Sequence, residues 1–198
     1  MPSDKEIIER ILKGEKRLYE QLVRKYDQRL FRISMSIIND EAEARDIMQN
    51  TYLNAYVHLT SLKNRSQFGT WIIKILVNES LLRKKRKIKQ QTLSKQLSNE
   101  AETPLKSLLN KELKALLEKS ISELPEKYKL VFVMREIEEM STKETMDVLN
   151  LSESNVKIRL NRAKEMLREK LDGKKLKEVF KLRLPLCDRI VNYVMNKI

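Results

Sequence analysis

The side chains best suited to chemistry in this sequence are those that bind nucleic acid, and most of them lie in one stretch behind Ser152. Polar and basic residues follow one another there: Ser154, Asn155, Lys157, Arg159, Asn161, Arg162, Lys164 and Arg168. Their hydroxyl, amide and cationic groups can bond phosphates and the base edges of the DNA major groove. The stretch predicts a DNA-contacting surface, although basic residues in this number also occur on a solvated helix face.

The same stretch has the periodicity of one amphipathic helix, which Ser152 is placed to cap. Its apolar stripe repeats every three or four residues, at Val156, Leu160, Ala163, Leu167 and Leu171. These residues can pack on neighbouring helices while the polar residues stay on the open faces.

Two further helices are predicted immediately before it. Leu124-Pro125 opens the first, because proline is tolerated in a first helical turn. Ser141 and Glu144 have the capping-box spacing and open a short second helix that ends at Leu149. Asn150 follows, where a left-handed turn is commonly needed. Three helices in this order, with the basic one last, predict a helix-turn-helix domain.

A helix predicted from Asp40 to His58 carries two different stripes. The core stripe comprises Ala44, Ile47, Met48, Thr51, Ala55 and Leu59. The second stripe mixes polar and apolar side chains on the side that should face water, at Asp46, Gln49, Asn50, Leu53 and Val57. Such a face suits a docking partner, although isolated exposed apolar residues are also normal.

A third candidate site lies in the polar segment from Leu62 to Gln67 and in the helix behind it. Trp71, Lys74 and Asn78 fall on one face of that helix. An aromatic ring, a cation and an amide beside a loop can stack on, neutralise and hydrogen-bond an exposed base. A lone tryptophan more often packs in the core, so both interpretations remain open. The helix ends in a basic run, 83–87, that is predicted to contact phosphate.

The composition limits the classes of protein that remain. With 198 residues, only 3 Gly and 4 Pro, and 35% charged residues, the chain is predicted to be all-α. Its net charge of +13 indicates a polyanionic partner. One cysteine and one histidine cannot form a disulfide framework or a zinc site, and no catalytic residue, metal site or cofactor is predicted. No membrane span or secretory signal is visible, and a cytoplasmic protein is expected.

Helical periodicity breaks in a polar stretch at 89–106, and this break divides the chain. We expect two small helical domains, 5–88 and 107–172, joined by a flexible linker at 89–106, so that the domains move relative to one another in the free protein. A C-terminal extension, 173–198, has apolar residues at helical spacing: Leu184, Cys187, Ile190, Val191 and Val194. We expect it to form a helix that packs on the second domain.

Four motifs, in order along both domains, resemble the extracytoplasmic-function (group 4) sigma factors of the sigma-70 family. They are Asp46 to Tyr56, Phe68 to Ile72 with Asn78, Leu124 to Tyr128, and Asn155 to Ala163. The resemblance implies an RNA polymerase sigma factor that is monomeric when free, with region 2 in the first domain and region 4 in the second. The implied partners are promoter DNA, core RNA polymerase through its largest-subunit clamp coiled coil and its flap, and an anti-sigma factor that holds the protein inactive, in the cytoplasm or at the inner membrane.

The resemblance also implies which residues act. Polymerase docking is implied for Asp46, Gln49, Asn50, Leu53 and Asn54. Opening and reading of the promoter −10 element is implied for Leu62, Lys63, Arg65, Ser66, Phe68, Thr70, Trp71, Lys74 and Asn78, with phosphate contacts from Arg83, Lys84, Arg86 and Lys87. Reading of the −35 element is implied for Ser154, Asn155, Lys157, Ile158, Arg159, Asn161, Arg162 and Lys164.

Two other classes share some of these features. A one-component helix-turn-helix regulator with an N-terminal sensor domain would have the basic charge and the recognition helix. It would not need the Asp46 stripe, and it would usually dimerise on palindromic half-sites, whereas the chain has no evident dimer helix with sustained heptads. An RNA-binding or ribosome-associated protein would fit the charge but leaves the capped helices before the basic face unexplained.

Overall fold

The regular structure of the described chain is helical throughout. The computed structural model describes residues 2–93, 119–170 and 188–198, and within these ranges it contains no strand. The predicted all-α fold is confirmed. Among the described helices, none has the length and apolar character needed to cross a membrane.

The first domain contains the helices α1 (Asp4–Leu12), α2 (Tyr19–Ile38), α3 (Glu41–Val57) and α4 (Phe68–Leu93). Asn39 reverses the chain after α2 in a left-handed conformation with φ 54°. The carboxylate of Asp40 then caps α3 by accepting a hydrogen bond from the backbone N–H of Glu43 at 3.1 Å. Helices α2, α3 and α4 all pack on one another, so the candidate residues on α3 and α4 are held by one core.

Two buried tyrosines join α2 to α3. The hydroxyl of Tyr19 donates to the carbonyl oxygen of Tyr52 at 2.7 Å, and the hydroxyl of Tyr52 donates to the carbonyl oxygen of Val23 at 3.1 Å. Burial raises the pKa of both phenols well above the ordinary value, so each stays protonated as a donor. The predicted core stripe of α3 is buried as expected, from Ala44 to Leu59.

The second domain contains α5 (Glu126–Phe132), a π-helical turn (Val133–Ile137), α6 (Thr142–Leu149) and α7 (Glu153–Lys170). The predicted capping box is present, because the Ser141 hydroxyl accepts from the N–H of Glu144 and the Glu144 carboxylate accepts from the N–H of Ser141. Asn150 is left-handed with φ 51°, as predicted. Leu124, Phe132, Ala163 and Leu167 form a core between α5 and α7.

One expectation about the end of the first domain changes. Helix α4 continues to Leu93, so the first five residues of the predicted linker are helical, because lysine and glutamine are good helix formers even on a polar helix. The rest of the predicted linker lies outside the described residues, as do Leu171, Leu184 and Cys187.

The C-terminal helix does not pack where we expected. Helix α8 (Asp188–Met195) lies against α2 and α3 of the first domain, rather than on the second domain. Its apolar residues Ile190, Val191 and Val194 are buried in the same cluster as the first-domain core. The strong apolar face of α8 needs a buried partner surface, and the α2 and α3 pair supplies it.

The two domains are also packed together, which the polar composition of the linker did not indicate. Helix α6 lies against α4, and α5 lies against α2. Second-domain residues such as Met134, Met140 and Val148 join the apolar cluster of the first domain. The structure therefore has a closed arrangement in which one apolar cluster spans the contact between the domains, beside the separate core between α5 and α7.

Candidate nucleic-acid interface

The predicted recognition helix α7 presents an open polar face. The Ser152 hydroxyl accepts a hydrogen bond from the backbone N–H of Asn155 at 3.3 Å, so the predicted cap is present. The apolar stripe faces inward, with Val156, Ala163 and Leu167 buried. On the opposite side, the predicted base-reading residues are exposed: Ser154, Asn155, Lys157, Ile158, Asn161 and Arg162.

Three cations of α7 pair with carboxylates on the protein surface. Lys157 pairs with Glu153 at 2.7 Å, and Arg162 pairs with Glu165 at 3.0 Å. Exposed pairs of this kind contribute only about 0–1 kcal/mol, so phosphates can replace the carboxylates at little cost. Arg159 and Lys164 are half-buried. Lys164 pairs with Glu136 at 2.8 Å.

The first-domain candidate site divides into exposed and buried residues. Lys74 and Asn78 are exposed on α4, and Lys63, Ser66 and the half-buried Arg65 lie on the preceding segment. Trp71 is half-buried with its ring 5.9 Å from the ring of Phe68, so it is part of the core edge and is still accessible from one side.

Two of the residues implied in −10 recognition are core residues. Phe68 is completely buried, with its ring edge-to-face on Tyr26 at 5.6 Å. Leu62 is buried in the same cluster. In this arrangement neither side chain is open to DNA, because both apolar groups anchor the start of α4 from inside.

Only some of the basic side chains in the run 83–87 of α4 are open to phosphate. Lys87 pairs with Asp40 at 3.6 Å and with Glu43 at 3.3 Å, so it joins α4 to the start of α3. Lys84 pairs with Glu126 of the second domain. Lys85 and Arg86 are exposed. Within this run, the side chains open to phosphate are Lys85 and Arg86, with half-buried Arg83 beside them.

The second domain lies across a cleft from the exposed face of α4, and no sequence pattern predicted this neighbourhood. A cleft of about 390 Å³ is lined by Lys74 and Asn78 on one side and by Val148, Leu149 and Asn150 on the other. Nearby, the hydroxyl of Thr70 donates to the carboxylate of Glu144 at 3.1 Å. Burial tends to raise the pKa of Glu144, but hydrogen bonds from Ser141 and Thr70 outweigh it and lower the pKa.

A group of charged side chains joins α2 to the turn after α5. Arg32 binds the carboxylate of Glu138 with two bonds, Nε to Oε1 at 2.6 Å and Nη2 to Oε2 at 3.0 Å. Arg29 donates from Nη2 to the backbone carbonyl of Glu138 at 2.8 Å. The Glu138 side chain is only 2% exposed. The two arginines lie 106 and 109 residues from Glu138 in sequence, so no local pattern could have linked them.

The outer stripe of α3 has the predicted mixture of polar and apolar groups. Asp46, Asn50 and Asn54 are exposed, and Gln49 and Leu53 are half-buried. Val57 is 70% exposed. Single exposed apolar residues are normal, but here the apolar and amide groups share one face with a carboxylate, which suits a partner helix.

The family regions occur in the order of these surfaces. Residues 22–88 match the family described as Sigma-70 region 2, and residues 114–167 match Sigma-70, region 4. The ECF RNA polymerase sigma factor SigW of Bacillus subtilis is 27% identical over 179 residues, which are 84% of this chain and 96% of the relative. The RNA polymerase sigma-H factor of Pseudomonas aeruginosa is 26% identical over 176 residues, 83% of this chain and 91% of the relative.

Two solved structures share the fold. The sigma factor RpoE from Bartonella quintana, in complex with the anti-sigma factor NepR, aligns with a TM-score of 0.69 at 18% identity over 78% of this chain and 97% of that chain. CnrH, in complex with the cytosolic domain of CnrY, aligns with a TM-score of 0.64 at 22% identity over 87% of this chain and 99% of that chain.

The chain belongs to the extracytoplasmic-function sigma factors of the sigma-70 family. It is an RNA polymerase sigma factor, and this assignment is favoured over a one-component regulator. Sigma factors as a family are not enzymes.

Proposed function

We propose that this sigma factor binds core RNA polymerase through the outer stripe of α3 and places its two domains on two promoter elements. The exposed face of α4, with Trp71 at its edge, takes a base of the opened −10 strand. The exposed face of α7 enters the major groove at the −35 element. The observation that carries the proposal is the presence of two separate exposed faces with polar and basic side chains, one on each domain, together with a mixed polar and apolar face on α3.

The proposed roles follow from the chemistry of each surface. Lys74 and Asn78 supply a cation and an amide to a single-stranded base, and Trp71 supplies an aromatic edge for stacking. Lys85 and Arg86 hold the adjacent phosphates. Asn161 and Arg162 can bond base edges, since amides pair with adenine and guanidinium groups with guanine.

We further propose that the protein works in the cytoplasm, has no catalytic activity of its own, and is held inactive by an anti-sigma factor. Support for the last partner comes from the two solved structures: RpoE is a sigma factor bound to the anti-sigma factor NepR, and CnrH is bound to the cytosolic domain of CnrY.

Run-off transcription with purified core polymerase and a pool of genomic promoter fragments tests the proposal. Asp46→Ala, Asn78→Ala and Arg162→Ala each change one surface, and all three side chains are exposed, so the fold should survive. We expect defined start sites for the wild type and reduced product for each variant. Lys13→Ala and Glu41→Ala remove exposed charges outside the three surfaces and should transcribe normally. A protein that binds DNA but does not direct core polymerase to initiate transcription would instead be a regulator.

A further inference from the structure

Helix α1 lies against the polar segment 62–67, which leads into the exposed face of α4. It packs on the short turn Arg65–Gln67 of that segment. The guanidinium of Arg65 donates from Nη1 to Oε1 of Glu9 at 3.2 Å, and both side chains are 38% exposed. The cation of Arg65 is therefore bound to α1, although a cation beside a nucleic-acid surface is usually expected to contact phosphate.

The segment 62–67 is anchored at both ends as well as at Arg65. Leu62 at its start and Phe68 just after it are buried in the first-domain cluster. The ion pair between Arg65 and Glu9 fixes the middle of the segment. The other polar side chains of the segment are exposed and accessible to a DNA strand: Lys63, Asn64, Ser66 and Gln67.

The same helix also reaches the start of α4, through its first turn. The Asp4 carboxylate accepts from Nζ of Lys25 at 2.6 Å and from the hydroxyl of Tyr26 at 2.5 Å. That hydroxyl oxygen lies so close to Gly69 that a Cβ atom there would be 2.8 Å from it. Asp4 therefore holds the ring against which the first turn of α4 packs.

Helix α1 is itself anchored, so it can support its neighbours. Its apolar residues Ile7, Ile8 and Ile11 are buried in the first-domain core. A capping box fixes its first turn. The contacts to Tyr26 and Arg65 thus place the segment 62–67 and the start of α4 relative to one rigid element. Groups that are held in place before binding lose less entropy when they bind.

We infer that Glu9 is a positioning residue for promoter recognition, which holds Arg65 so that the exposed side chains of the segment 62–67 can read the −10 strand. Arg65 then holds the segment in place rather than binding phosphate. The inference rests on the proposed function of α4 and extends it to the segment before it. Base contacts carry specificity, whereas phosphate contacts mainly position the strand, so loss of the pair should lower base discrimination.

The test measures base discrimination by the holoenzyme formed from core polymerase and the full chain. The probes are fluorescent non-template −10 strands from the promoter with the strongest run-off product, each with one base changed. Discrimination is the affinity for the promoter strand divided by the affinity for the changed strand, at the position where wild type discriminates most. We expect Glu9→Gln to reduce this ratio about two- to fivefold, the range available to an exposed ion pair.

Glu15→Gln is the matched control. It makes the same chemical change and breaks a pair of the same kind, between Glu15 and Arg10, which does not involve the segment 62–67. Its discrimination should equal that of wild type. Urea unfolding of the free proteins checks that both variants are folded.

Salt dependence separates a positioning role for Arg65 from a phosphate contact. Each phosphate contact on a single strand contributes about 0.7 to the slope of log affinity against log salt concentration. Arg65→Ala should lose as much discrimination as Glu9→Gln and leave this slope unchanged. Arg65→Lys keeps a cation for Glu9 and should retain discrimination. The double variant Glu9→Gln/Arg65→Ala should lose no more than either single variant, because the two residues act as one pair.

Wild-type discrimination in folded Glu9→Gln, or a slope lowered by about 0.7 in Arg65→Ala, would overturn the inference. The proposed function would still stand, because run-off transcription tests it separately. If run-off gives no product, or if wild-type holoenzyme discriminates at no position of the −10 strand, the proposed function fails and the inference fails with it.

Discussion

Replacing Gly69 by alanine should destabilise the first domain, although alanine is the better helix former. Gly69 is the second residue of α4, between Phe68 and Thr70. A Cβ atom there would lie 2.8 Å from the hydroxyl oxygen of Tyr26 and 2.9 Å from its Cε1. Contacts this short require the ring to move.

Tyr26 has little freedom to move. Its hydroxyl donates to the carboxylate of Asp4 at 2.5 Å, and its ring packs edge-to-face on Phe68. Burial and the bond to Asp4 raise the pKa of the phenol, so it remains a donor. Overpacking costs about 1–3 kcal/mol, and losing a hydrogen bond to a charged group adds about 1.5–3 kcal/mol. The gain in helix propensity is at most about 1 kcal/mol. We therefore expect a net loss of roughly 1.5–6 kcal/mol.

Urea unfolding followed by circular dichroism measures this loss. Tyr26→Phe removes the nearest atom, so the penalty of Gly69→Ala should be smaller in that background, with a coupling of about 0.5–3 kcal/mol. A Gly69→Ala protein that is more stable than wild type would refute the reasoning, since it would mean that the Tyr26 ring can move aside at little cost in free energy.

Three further outcomes are expected. Ile158 is 58% exposed in the middle of the polar face of α7 and should contact a thymine methyl group. Replacing that thymine by uracil should weaken DNA binding by wild type by about 0.8 kcal/mol, roughly fourfold in affinity, and should leave binding by Ile158→Ala unchanged. Equal losses of affinity in the two proteins would exclude the contact. Ile190→Ala should lower the free energy of unfolding by about 2–5 kcal/mol because α8 belongs to the first-domain core. The exposed control Asn192→Ala should be neutral, and a neutral result for Ile190→Ala as well would show that α8 does not pack on this core. The folded-state pKa of Glu144 lies below its ordinary 4.5, so the stability that its ionised carboxylate contributes is complete above pH 4.5 and is lost as the pH falls through the folded-state pKa. The difference in urea midpoint between wild type and Glu144→Gln should therefore shrink on acidification. A difference that stays constant with pH would contradict this.

Local features of the candidate site could be predicted well. Ser141, Asn150 and Ser152 act on amides and backbone angles within a few residues, so their neighbours in sequence are enough to assign their roles. The core stripe of α3 and the inward stripe of α7 follow helical spacing for the same reason.

The burial of Phe68 and Leu62 could not be predicted in this way. Both residues lie beside exposed members of the candidate site, and spacing alone does not tell which face of α4 is covered. Tyr26 and the rest of the first-domain cluster supply that cover, and they come from other helices.

The sequence by itself determined the helices, their caps, the family and the order of the proposed surfaces, because those depend on short-range spacing and on ordered motifs. Only the tertiary structure decided that α8 packs on α2 and α3 and that Glu138 closes the second domain onto Arg29 and Arg32. An amphipathic helix specifies that it needs an apolar partner but does not specify which one. A buried ion pair likewise forms only where the whole fold brings two distant charges together and removes water from both.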